Sequence, residues 1–185
     1  KLSTRYKFND DKVTFRASFS TGFRAPLLHQ IYQQLAQASF VPGQGIQTKG
    51  IVNNVSPQAF ALGVPKLTPE KSTNFTLGLG FNPSKNLSIT LDYYNIQVKD
   101  RIILGSEIAG TAGGKTALDN ILKTNGIVAV SFFSNALNTT TSGIDLVASQ
   151  RNLLFLGHKL NINLAGNYTI ENKYTSVNNP KLIAD

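Results

Sequence analysis

The chain has 185 residues, 41% of them apolar and only 15% charged, so it can bury the core of one ordinary domain and does not have the composition of a disordered segment. Lys and Arg outnumber Asp and Glu by 18 to 10, a formal +8 that makes nucleic acid and anionic membrane surfaces the first partners to weigh. Cysteine is absent, which excludes disulfides, thiolate metal sites and a cysteine nucleophile, and no run of about 18 apolar residues could span a bilayer as a helix.

Alternation of apolar and polar residues with a period of two dominates the chain. It begins with Leu2, Thr4, Tyr6 and Phe8 against Lys1, Ser3, Arg5 and Lys7, and after an Asn9-Asp10-Asp11 turn it continues as Val13, Phe15, Ala17 and Phe19. Residues 24–70 then form a long connection in which Leu27, Leu28, Ile31, Leu35 and Ala38 recur at helical spacing, predicting a short helix over about 27–38. Phe75, Leu77, Leu79 and Phe81 make the next strand, and a turn over 82–86 leads into Leu87, Ile89, Leu91 and Tyr93. The phase slips at Tyr93-Tyr94, as at a bulge or where a strand leaves its apolar environment. A second long connection covers 101–127. One parity then holds through Val128, Val130, Phe132, Ile144, Leu146 and Ala148, and beyond a turn in 151–158 the last run is Leu160, Ile162, Leu164, Tyr168 and Ile170 against Asn161, Asn163, Asn167 and Thr169.

The expectation is an all-β fold, an antiparallel up-and-down meander of about six strands in which short turns alternate with two long connections. Short turns at one end and long loops at the other are how a transmembrane β-barrel is built. Loops of this length are uncommon in a compact soluble domain. The polar rows suit a wet lumen, and the Leu, Ile, Val and Phe rows suit lipid. Tyr93, Tyr94, Phe132, Phe133 and Tyr168 are candidates for an aromatic girdle or for cross-strand packing.

Four segments carry a family resemblance. Val13 to Pro26 resembles the strand that ends in G-F-R-A-P in TonB-dependent outer-membrane receptors, here Gly22-Phe23-Arg24-Ala25-Pro26. Leu67 to Leu79 is similar to that family's L-x-P-E-x-S-x-N-x-E-L-G-L stretch, with Thr76 in place of the acidic residue. Phe81-Asn82-Pro83 follows, and then a strand ending in Lys99-Asp100-Arg101-Ile102. Asn135 to Leu146 matches the family's N-x7-G-x-E-x pattern, with Asp145 where Glu is commoner. The resemblance implies a segment of a large barrel of 22 strands, whose wall alone needs roughly 220 residues. No signal peptide, plug, TonB-coupling box or terminal aromatic strand is legible. The chain is therefore expected to be one partial β-barrel domain over residues 1–185, from the later part of the wall, with outer loops at about 24–70 and 101–127 and no plug domain.

The same resemblance implies transport without chemistry on the solute: a scarce solute such as a siderophore, vitamin, metal chelate or glycan is bound outside and imported with energy from the TonB complex, which would act through the plug. The partners are then outer-membrane lipid, TonB and a small solute, in the outer membrane of a Gram-negative cell, with no cofactor. Candidate ligand contacts in the first loop are His29, Tyr32, Gln33, Gln44 and Gln47, and candidate lumen-facing residues are Arg5, Arg16, Asp92 and Asp145.

Other chemistry finds little support. Gly110 to Lys115 looks like a phosphate loop, but the spacing fails because Ala109 stands where the first glycine belongs. His29 and His158 lie far apart, and Asp92, Asp100, Glu107, Asp119 and Asp145 are dispersed, so neither a metal site nor acid–base catalysis is expected. The basic surplus is spread over strand faces, loops and turns without the compact patch that nucleic acid requires. Two alternatives stay open: a soluble β-sandwich binding or adhesion module, and a complete small barrel, which would need about eight strands.

Overall fold

The computed structural model describes residues 1–110 and 117–177. In chain order the elements are β1 (Leu2–Phe8), β2 (Val13–Arg24), α1 (Leu28–Tyr32), β3 (Leu35–Val41), β4 (Gly45–Ile51), α2 (Pro57–Ala61), β5 (Glu70–Ser84), β6 (Leu87–Leu104), β7 (Ile108–Ala109), α3 (Ala117–Thr124), β8 (Ala129–Ser131), β9 (Phe133–Phe155) and β10 (His158–Val177). The chain forms two compact units, one of Lys1–Gly22, Lys71–Lys99 and Thr139–Thr175, the other containing Phe23–Glu70 and Asp100–Asn138.

The long strands form an antiparallel six-stranded sheet in the order β1-β2-β5-β6-β9-β10. Its register follows the hydrophobic alternation. Leu2 faces Phe19, Tyr6 faces Phe15 and Phe8 faces Val13, while Leu77 faces Tyr93, Leu79 faces Leu91 and Phe81 faces Ile89. A slip of one residue would move every one of these side chains to the polar face. The apolar face is open: Leu2, Tyr6, Phe19, Leu79, Phe81, Leu91, Ile162, Leu164 and Ile170 are all exposed. A sandwich buries its apolar faces against each other, and an eight-stranded wall needs more than the six strands this sheet has among the described residues. The short connections close as expected. Asn9, Asp10 and Asp11 all take positive φ, and Leu156-Gly157 (φ 48° and 79°) makes the two-residue turn between β9 and β10.

The long connections are not open loops. In the second unit β3, β4, β8 and β7 form a separate sheet in that order, with β3 and β4 an antiparallel hairpin and β4 parallel to β8. Ala59, Leu62, Val64, Leu118, Leu122, Val130 and Phe132 form its core. The two helices in this core are bounded by ordinary end chemistry. Ser56 Oγ accepts from the Ala59 amide ahead of Pro57 in α2. Both helices end in the same pair of bonds, Gly63 to Phe60 with Val64 to Ala59, and Gly126 to Lys123 with Ile127 to Leu122, each glycine at positive φ.

Three expectations are corrected. The predicted helix over about 27–38 ends at Tyr32, because Gln33 turns extended (ψ 124°) and Leu35 starts a strand paired to Ile51. The single parity from Val128 to Ala148 is shared by two strands in different sheets: Val130 belongs to β8, and the wall strand β9 begins at Phe133. Toward β5 no bulge interrupts Tyr93-Tyr94, since that register runs unbroken from Lys71 opposite Lys99 to Phe81 opposite Ile89. Beyond Tyr93 that face carries Asn95 and Gln97, so the strand leaves its apolar surroundings without changing register. The phosphate-loop-like stretch lies, from Thr111 to Thr116, outside the described residues.

Leu62 is 1% exposed, and Leu62→Ala is expected to destabilise the second unit by about 2–5 kcal/mol. Amide exchange should show the loss in residues 45–64 and 117–132, with the hairpin of β9 and β10 unchanged.

Candidate functional site

The polar face of the six-stranded sheet brings together three of the four candidate lumen residues. Arg5 lies opposite Arg16 across β1 and β2, and with Asp92 of β6 they line one concavity. Arg16 Nη2 donates to both carboxylate oxygens of Asp92 at 2.8 Å each. The bond spans β5, which lies between β2 and β6, a reach of about 10 Å between backbones. Glycine at position 78 permits it: a Cβ there would overlap the Asp92 carboxylate and lie 3.1 Å from Arg16 Nε.

The same device recurs further along the sheet. Tyr94 of β6 crosses Gly143 of β9, where a Cβ would overlap its phenol, and its hydroxyl accepts from Asn167 Nδ2 of β10 at 3.2 Å. Asn167 Nδ2 also donates to the fourth candidate, Asp145, at 2.6 Å. Asp145 therefore sits in a polar contact separate from Arg16 and Asp92. Beside the first bridge, across β2 and β5, Ser18 pairs with Thr76 at 2.8 Å, and Asn74 donates to Ser20 at 3.5 Å. The sequence reading missed both glycines. The available signal was a glycine placed on the polar parity of an otherwise alternating strand.

Of the girdle candidates, Tyr93 lies on the apolar face opposite Leu77, and Tyr168 is exposed on the parity of Leu164 and Ile170. Tyr94 is on the polar face, Phe132 is buried in the loop core, and Phe133 stands edge-on to His29 with ring centroids 6.0 Å apart.

The five loop candidates fall into two groups. His29 and Tyr32 are exposed on α1, and Gln33 follows with its amide bonded to the His29 carbonyl at 2.8 Å. Gln44 lies in the turn of the β3–β4 hairpin, and its side-chain oxygen accepts from Gln47. Along the hairpin, whose base pair is Leu35 with Ile51 and whose tip pair is Val41 with Gly45, the tip at Gln44 lies about 20 Å from the base and Gln47, opposite Ser39, about 13 Å from it. The structure does not gather the five into one site.

The motif residues, in contrast, converge in the second unit. Glu70 is 7% exposed at its side chain and accepts from Arg24 Nη2 at 2.5 Å, Arg24 Nε at 3.0 Å and the Ile102 amide at 2.8 Å. Asn135 accepts from the Thr68 amide (2.8 Å) and donates to the carbonyls of Thr68 (2.9 Å) and Asp100 (2.6 Å). Asn138 Oδ1 accepts from the amide of Asp100, whose φ is +57°. Each of the four matched segments thus supplies a residue to one polar lattice.

Glu70 belongs to this loop unit, outside the strand stretches of the first unit. Burial alone would push its carboxyl up; the hydrogen bonds from Arg24 and Ile102 and the charges of Arg24 and Arg101 outweigh burial and hold it below the ordinary carboxylate range. A depressed carboxyl contributes stability that is fully present above its unfolded value and lost as the pH falls through its folded value. Glu70→Gln is therefore expected to cost on the order of 1–3 kcal/mol near neutral pH and to flatten the acid limb of the stability profile, measured by thermal unfolding between pH 7 and 3.

Gly78→Ala and Asp92→Asn should each cost about 1 kcal/mol, because the Arg16 pair is more than a third exposed. The double variant should cost little more than one of them, since both remove the same bond. Full additivity in that cycle would show that Gly78 does not serve the bridge.

Comparisons with known proteins agree with this geometry. The family model described as TonB dependent receptor-like, beta-barrel matches residues 1–184. Among solved structures, a mutant of the ferric enterobactin receptor PfeA from Pseudomonas aeruginosa in complex with enterobactin is 20% identical with a TM-score of 0.59, over 91% of this chain and 21% of that one. The siderophore receptor PirA from the same organism is 18% identical with a TM-score of 0.51, over 85% and 25%. The chain thus spans a fifth to a quarter of these receptors, and at such identities the likeness shows the fold. A search of curated proteins found no match.

Proposed function

Because the chain belongs to the TonB-dependent receptor-like β-barrel family, we infer that it serves as part of the wall and outer loops of an outer-membrane receptor that imports a scarce solute with TonB-derived energy. The observation that carries this reading is the six-stranded meander with one open apolar face and one hydrogen-bonded polar face. Lipid covers the first face and the lumen lies along the second. Tyr93 and Tyr168 fit the interface, with apolar rings and polar tips.

The solute class is a siderophore, vitamin, metal chelate or glycan. Two of the similar structures are siderophore receptors, which favours testing ferric siderophores first. The folded loop unit supports recognition, since a preformed surface loses less entropy on binding than an open loop does. Candidate contacts lie at its two separate positions, His29, Tyr32 and Gln33 on one and Gln44 and Gln47 on the other. The reading needs no chemistry on the solute, and the similar structures are those of receptors.

The full-length protein, expressed in a Gram-negative host stripped of its own siderophore receptors, is expected to fractionate with the outer membrane. It should also restore uptake of at least one radiolabelled ferric siderophore or other chelate, and that uptake should vanish in a host lacking TonB. Recovery in the soluble fraction, or uptake indifferent to TonB, would overturn the reading.

A further inference from the structure

We propose that Asn125-Gly126, at the end of α3, is a site of spontaneous deamidation that is gated by opening of the loop unit's core and that weakens this core once it has reacted. The inference goes beyond solute import and holds whatever the solute is.

The dipeptide supplies the chemistry. Asn125 is the one asparagine of the chain that a glycine follows. A backbone nitrogen reaches the side-chain amide carbon of the preceding residue most readily when its own residue has no Cβ to crowd the approach, as in glycine. The Gly126 nitrogen yields its proton to hydroxide and bonds to Asn125 Cγ. The Cγ–Nδ2 bond breaks, and the side-chain nitrogen leaves as ammonia with a proton from water. Water then opens either carbonyl of the five-membered imide, leaving aspartate or isoaspartate at this position. Water and hydroxide are the only co-reactants.

In the folded chain the groups that must meet are held apart. The Gly126 amide donates to the Lys123 carbonyl at 3.2 Å, and the Ile127 amide donates to the Leu122 carbonyl at 3.0 Å. Asn125 Nδ2 donates to the Ile121 carbonyl at 2.7 Å, which keeps the side-chain amide over the preceding turn, away from the nitrogen that follows it. The ring closes only after these bonds open. α3 has eight residues, too few to persist alone, so its end opens when Leu118 and Leu122 loosen from the core they share with Leu62 and Val130.

The reaction runs one way. Aspartate at this position loses the donor to Ile121 and sets a negative charge at the negative end of the helix. Isoaspartate also lengthens the main chain by one carbon inside the paired bonds of Gly126 and Ile127, so both cannot close as before. Each event therefore makes the core easier to open.

The full-length protein is incubated at mildly alkaline pH, folded in detergent micelles or unfolded in urea, and peptide mapping follows the gain of one dalton at Asn125 with isoaspartate labelling by a methyltransferase. Asn125 is expected to convert first among the asparagines of the unfolded chain, and at least about tenfold more slowly in the folded protein. Leu62→Ala, or urea below the unfolding transition, should speed conversion in the folded protein several-fold, and Leu62→Ala should leave the unfolded rate unchanged. Gly126→Ala should slow conversion in the unfolded chain several-fold. Asn125→Asp should speed amide exchange over residues 117–132. Equal rates in the folded and unfolded protein, a folded rate indifferent to both Leu62→Ala and urea, an unfolded rate indifferent to Gly126→Ala, or unchanged exchange in Asn125→Asp would each overturn the proposal.

Discussion

A β-strand sends successive side chains to opposite sides, and a sheet that is apolar along one side and polar along the other must find two solvents. In the six-stranded sheet the register locks that division in place: aromatic and aliphatic residues meet across β1 and β2 and across β5 and β6, and arginines, serines and threonines meet on the reverse. With so much apolar area exposed, water on both sides is unfavourable. A bilayer on one side and an aqueous lumen on the other satisfy both faces, and transmembrane barrels are built on that division.

The polar face is a structure in its own right. Side chains on neighbouring strands can pair directly, but Arg16 with Asp92 and Tyr94 with Asn167 pair across an intervening strand, which a side chain in the middle position would block. Gly78 and Gly143 occupy those middle positions. A glycine normally weakens a strand, so each must be offset by the bond it admits. The bridges are partly exposed and individually weak, and their effect is to fix where charge lies.

The second unit gives its motif residues a structural meaning. Arg24, Glu70, Ile102, Asn135 and Asn138 come from segments far apart in the chain, yet all are spent on satisfying one another and the backbone of Thr68 and Asp100. A buried carboxylate such as Glu70 is costly unless every acceptor site is used, and three donors reach it here. Glu70 is buried within this lattice, whereas Arg24 keeps about half of its side chain exposed.

The sequence by itself determined the six strands of the long sheet, their faces and their short turns, because a period of two and a run of Asn, Asp and Gly are local physical signals. It also determined the family, through motifs spread along the chain. It placed Arg5, Arg16 and Asp92 on the polar face, but not the bridge between Arg16 and Asp92, since nothing local to either residue says that Gly78 lies between them. The long connections were read as loops because they are rich in Gly, Pro, Gln and Ala. Leu62, Leu122 and Val130 become a core only when β4 and β8, nearly 80 residues apart, pair in parallel. Likewise Leu35 and Ala38 had helical spacing but entered a strand, because Ile51 and Thr48 offered them backbone partners. Tertiary structure alone decided these points, since non-local pairing outweighs the weak preferences of short segments.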